Sequence, residues 1–138
     1  MKLMIKTFLL LMLATANLAY AEVAVIVHPS NAATLDENSI ERIFLAKSKS
    51  FSDGSSAIPI NQAEASSVRA EFDQGVLGKS AAQLKSYWSK LVFTGKGTQP
   101  QDVSNDAEVK KLISANPNMI GYIDAAAVDG SVKVVQTF

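Results

Sequence analysis

Cysteine is absent from all 138 residues. That excludes disulfides, thiolate catalysis, a Cys-ligated zinc and a lipid-modified N-terminal cysteine. Histidine occurs once, as His28, at the end of a valine-rich run. A general base needs a nucleophile or an orienting partner nearby, and the neighbouring sequence offers neither. One histidine is also a poor metal site, so its expected role is structural or solvent-facing. Charge of one sign is lacking too: 13 basic residues balance 13 acidic ones. There is no basic stripe or acidic tail, which argues against a nucleic-acid partner. No G-x-S-x-G, H-E-x-x-H or Walker motif appears. The carboxylates are dispersed, with Asp36, Glu37 and Glu41 in one helical pattern and Glu64, Glu71 and Asp73 in another. Glu37 and Glu41 share an outward face by their spacing, which reads as a solvated surface. The expectation is a protein that is not an enzyme and carries no cofactor or metal.

Long hydrophobic runs are confined to the start. Lys2 and Lys6 precede "FLLLMLA" (Phe8 to Ala14), and Ala19-Tyr20-Ala21 supplies an A-x-A pattern. A basic start, a short apolar core and small residues at a cleavage position read as a secretory signal peptide over residues 1–21, cut between Ala21 and Glu22. No later run is long enough for a membrane helix. Residues 22–138 are then expected to form a single exported domain without a membrane anchor, destined for the periplasm. The leader takes two lysines with it and tips the remainder slightly acidic.

"EVAVIVH" (Glu22 to His28) reads as a strand covered on both faces. Helical spacing follows over Leu35, Ile40, Ile43 and Phe44, with Asp36 as its cap. Ile58 to Ile60 reads as a short strand. Val68, Phe72 and Val76 repeat at helical spacing after Ser66-Ser67, and Ser80 and Gln83 have capping-box spacing before Leu84, Tyr87, Trp88 and Leu91. "FTGKGTQPQ" (Phe93 to Gln101) reads as an irregular loop. A further helix spans about Asn105 to Ala115, "MIGYID" is a strand, "AAAVDG" a short helical or turn segment, and "VKVVQTF" an edge strand. Strands separated by helices predict an α/β layered domain with a largely parallel sheet.

Two stretches have the chemistry to hold an anion. In "ASSVR", the hydroxyls of Ser66 and Ser67 and the unbonded N–H groups of a first helical turn can surround an oxyanion, aided by the helix dipole. The competing reading is that Ser66 only caps the helix. In "TGKG", two glycines around Lys96 let backbone amides approach an anion, with Thr94 beside them. The competing reading there is an ordinary turn.

The order of motifs resembles the phosphate-binding proteins of ABC importers, in the type 2 periplasmic-binding superfamily. The stretches that carry the likeness are His28-Pro29-Ser30-Asn31, Ile43-Phe44-Leu45-Ala46-Lys47, Phe51-Ser52-Asp53-Gly54, Gln62 through Val68, and Ile120-Gly121-Tyr122. Short exported relatives share the "YWSKLVFTGKG" type of segment, here Tyr87 to Gly97. The likeness spans nearly all of residues 22–138 but matches only one of the two lobes of such proteins. It implies a single periplasmic-binding lobe with a short, mixed, mostly parallel sheet flanked by helices. It also implies non-catalytic binding of an inorganic oxyanion, phosphate foremost, at Ser66 and Ser67, with Gln62, Arg69, Ser30 and Asn31 contributing. Where the family shows "GSGT", this chain has Ala65-Ser66-Ser67-Val68, and where it has a bidentate arginine, Gln62 stands. An ABC permease, another exported protein or a second copy of the chain are the partners the likeness suggests. The rival reading is an interaction module that has lost its ligand and binds another exported protein or a sensor domain.

Overall fold

The structure, a computed structural model, describes residues 22–138. The leader reading of residues 1–21 lies outside them. The elements in chain order are β1 (Val23–Val27), α1 (Glu37–Phe44), β2 (Ile58–Gln62), α2 (Ser67–Gly75), α3 (Ala81–Phe93), β3 (Gln101–Val103), α4 (Asp106–Ala115), β4 (Met119–Asp124) and β5 (Lys133–Thr137). A 3-10 turn at Ala125–Ala127 links the last two. Among the described residues no helix is long and apolar enough to cross a membrane.

The strands form one five-stranded sheet in the order β3-β2-β4-β1-β5. β2 runs parallel to β3 and β4, whereas β1 runs antiparallel to β4 and β5. The α/β sheet flanked by helices is therefore mixed, its pairings divided equally between the two kinds. β1 is buried along its whole length because both of its faces are covered. Val23, Val25 and Val27 join Ile120 and Tyr122 against α1, α2 and α3. Ala24 and Ile26 face the other way, with Ile60 and Ile123, against Val109 and Ile113 of α4. The alternation follows from the two-residue period of a strand. Gly121 belongs to the α4 face, where a Cβ would meet Val109 at 2.8 Å and Ile60 at 3.0 Å. Only glycine lets α4 and β2 close on β4 there.

Local signals set the helix starts. The side chains of Asp36, Ser66, Ser80 and Asn105 each accept a first-turn backbone N–H, and Ser80 and Gln83 form the reciprocal capping box. α1 ends with Ala46 in the left-handed region at φ 59°. The segment read as loop up to Gln101 gives way to a three-residue strand, β3, which pairs with Ile60, Asn61 and Gln62. That pairing is between segments far apart in sequence and leaves no local hydrophobic signature. On the α1–α3 face Phe72 stacks on Tyr122 with centroids 3.9 Å apart, and Phe44 meets Phe72 edge-on at 4.7 Å.

Candidate functional site at the start of helix α2

Helices leave β2 and β3 on opposite faces of the sheet, α2 on one and α4 on the other. The carboxyl ends of strands arranged this way form the crevice where such folds bind ligands. Gln62 ends β2 there, Ser66 caps α2, and Asn105 caps α4. Two helix starts and the glutamine between them thus meet at this end of the sheet.

Gln62 is 2 % exposed and its side chain is fully engaged. Nε2 donates to Asp106 Oδ1 and to the Tyr122 carbonyl (3.0 Å), and Oε1 accepts from the Ser66 hydroxyl at 2.7 Å. The Ser66 oxygen in turn accepts the Arg69 N–H at 3.3 Å. Arg69 Nη1 donates to the Gln62 carbonyl at 3.0 Å and reaches Asp102 Oδ1 at 3.3 Å, while its Nε lies 3.7 Å from Asp73 Oδ2. Below this layer the Tyr122 hydroxyl donates to Asn61 Oδ1 and accepts the Gln62 N–H at 3.2 Å. Burial pushes the Tyr122 hydroxyl pKa far above its ordinary value, so it remains a donor at neutral pH. Ser67 is exposed at the first helical position. The N–H groups of Ser67 and Val68 precede the first intrahelical bond, which runs from the Ala70 N–H to the Ser66 carbonyl at 3.2 Å.

Four residues of the sequence-based site, Gln62, Ser66, Ser67 and Arg69, therefore come together. Ser30 and Asn31 do not join them. β1 runs antiparallel to β4, with Val27 beside Ile120 and Val23 beside Asp124. The turn after β1 is delivered to the opposite end of the sheet, one strand length away. There Ser30 Oγ lies 2.7 Å from His28 Nδ1, which also accepts the Ser30 N–H. Asn31 Oδ1 caps the Ala33 N–H, and its carbonyl accepts from Lys133 Nζ. Thr94 and Lys96 are also remote. Thr94 is the C-cap of α3, and its hydroxyl donates to the carbonyls of Lys90 (2.9 Å) and Leu91 (3.2 Å). Lys96 borders a groove with Lys49, Ile58 and Pro59, beside the beginning of β2.

Sequence reasoning missed Asp106 and Tyr122 as partners of Gln62. Asp106 follows the Asn105 cap, but nothing local says that its carboxylate meets a glutamine 44 residues earlier. Among the described residues no group of three histidine or acidic side chains is placed to hold a metal ion.

No protein-family model matches this sequence, and no curated protein does. Solved structures do match. The chain is similar to a Clostridium perfringens protein with bound phosphate, provisionally named a phosphate ABC transporter substrate-binding protein, at 24% identity and TM-score 0.66. That match covers 85% of this chain and 46% of the other. It is also similar to an ABC-type phosphate transport receptor from Vibrio cholerae, at 18% identity and TM-score 0.65 over 85% of this chain and 47% of that one. A third likeness is to PstS from Borrelia burgdorferi, at 16% identity and TM-score 0.62, covering 84% and 47%. The resemblance in the sequence thus holds at the level of fold: this chain has the architecture of part of a phosphate transporter substrate-binding protein. It spans about half the length of the structures it matches.

Proposed function

We propose that this chain is an exported, non-catalytic lobe that binds a small inorganic oxyanion, phosphate foremost, at the first turn of α2. The observation that supports this most is position. The free amides of Ser67 and Val68 and the Ser67 hydroxyl stand at the carboxyl end of β2, in a fold shared with proteins that handle phosphate. Ser66 and Gln62 act as positioning residues, because their hydroxyl and amide groups are spent on each other and on the fold. Arg69 contributes charge, shared with Asp73 and Asp102. A lobe grips its ligand from one side, and closure needs a facing wall, so affinity rises where a second copy or another exported protein supplies one.

The test is thermal unfolding of the purified protein against phosphate, sulfate, nitrate and chloride at matched ionic strength. Ligand at about 100 times Kd stabilises the native state by roughly 2.7 kcal/mol. A shift with phosphate and not with chloride is the expected result. No shift with any anion would remove this reading. The second reading, a docking lobe for another exported protein, would then lead. It is favoured by Phe93, which stands 92 % exposed at the end of α3 beside half-exposed Val92.

A further inference from the structure

Next to the oxyanion site, and sharing Arg69 with it, a cleft of about 780 Å³ opens between α2, α3 and the β3 edge. That volume lies within the roughly 300–1,000 Å³ of small-molecule sites. Leu84, Trp88 and Val92 give its α3 wall an apolar strip, with Lys85 and Ser89 beside them. Its α2 and β3 wall carries Asp73, Arg69 and Asp102, with Glu64 at the turn before α2.

Asp73 is the unusual member. It is only 5 % exposed, its Oδ1 has no hydrogen-bond partner, and its Oδ2 has only the 3.7 Å contact with Arg69 Nε. Arg69 is committed elsewhere, through Nη1, to Asp102 and the Gln62 carbonyl. A buried carboxylate short of donors is costly, and a group that supplies them is correspondingly favoured. Desolvation pushes the Asp73 carboxyl up to about 6, so it is largely ionised at neutral pH, and the one cation at salt-bridge distance is Arg69, which it shares with Asp102. The end torsion of aspartate is soft, so either oxygen can turn to the cleft. An ammonium brings three donors and a charge. Three carboxylates and three cationic side chains, Arg69, Lys79 and Lys85, line the cleft, but Asp73 is the one charge among them that is buried, so its buried end favours a cation over an anion.

We propose that the α2–α3 cleft binds a small organic amine, with its ammonium on Asp73 and an aromatic or alkyl body against Leu84, Trp88 and Val92. Trp88 is the only tryptophan in the chain, so its fluorescence reports from inside the cleft. The full chain is titrated at neutral pH with phenethylamine and, separately, with phenylacetate, which has a similar aromatic body and the opposite charge. The expected result is a saturable Trp88 response to phenethylamine, at least about tenfold tighter than any response to phenylacetate. Asp73→Asn, which keeps the side chain's shape, should weaken phenethylamine by about tenfold or more. Equal responses to the two probes, no saturable response, or a folded Asp73→Asn variant that titrates like the wild type would each overturn the proposal. The probe comparison needs no variant, so it decides the matter even if Asp73→Asn does not fold.

Discussion

The two ends of α2 lie about two helical turns apart and treat their polar groups in opposite ways. At the Ser66 end, the amide hydrogens and the oxygen of Gln62 all have partners inside the chain, as does the serine hydroxyl. At the Asp73 end, a carboxylate equally buried has one oxygen with no partner and the other with a long one. Arg69 stands between and serves both. Where the chain matches its own groups, it builds a scaffold. Where it leaves one short, something from outside can complete it. The glutamine at 62 fits this account: its two N–H donors are used up by Asp106 and the Tyr122 carbonyl. An arginine at this position would bring five donors, more than these two acceptors engage, and the surplus could face a ligand.

The largest effect should come from breaking the matched end. Gln62→Leu keeps roughly the volume but leaves the Asp106 carboxylate, the Tyr122 carbonyl and the Ser66 hydroxyl short of partners. Each orphaned group costs about 1–3 kcal/mol unless water reaches it, so a loss of about 3 kcal/mol is expected from urea midpoints. A loss under about 1 kcal/mol would mean that this network does not hold the α2 start, and the contrast between the two ends would dissolve.

A change of pH sharpens the unmatched end. The folded-state pKa of Asp73 lies at about 6, above the ordinary 3.8, because desolvation outweighs the attraction of Arg69 and Asp102 adds repulsion. The folded protein then holds this proton more tightly than the unfolded chain. The sign is that of a raised acid: the contribution is fully present below about 3.8, is lost as pH rises to about 6, and is flat above. With Arg69 nearby, the loss should be on the order of 2 kcal/mol. Asp73→Asn should abolish it, so the difference between the two stability curves over pH 4 to 7 isolates this group. Parallel curves would show that the Asp73 carboxyl is not poised as described.

Much of this was legible in the sequence wherever the determinant was local. The caps Asp36, Ser66, Ser80 and Asn105 announce their helices because a cap acts within three residues. The unbroken valine run announces a strand covered on both sides. Direction and pairing were less legible. The family likeness groups Ser30 and Asn31 with Ser66, but β1 runs antiparallel to β4 and carries them to the far end of the sheet. β3 escaped notice because its order comes from pairing with β2, not from its own residues. Asp73 read as one more dispersed acid. The signal that could have marked it is its place beside Phe72 and one turn from Val76, on the border of the buried stripe of α2.

The smallest effects separate holding a ligand from holding a helix. Ser66→Ala removes the cap and the donor to Gln62, and should cost about 1 kcal/mol. Ser67→Ala removes an exposed hydroxyl from the first helical position, where alanine is the better helix former, so stability should stay within about 0.5 kcal/mol. Both variants should lose most of the phosphate-induced thermal shift if the first turn of α2 grips the anion. Ser67 then contributes directly, and Ser66 by keeping the turn in place. If Ser66→Ala loses stability while both variants keep the full phosphate response, the serines serve the helix alone. The anion would then be sought at the basic groove bordered by Lys49 and Lys96, at the other end of the sheet.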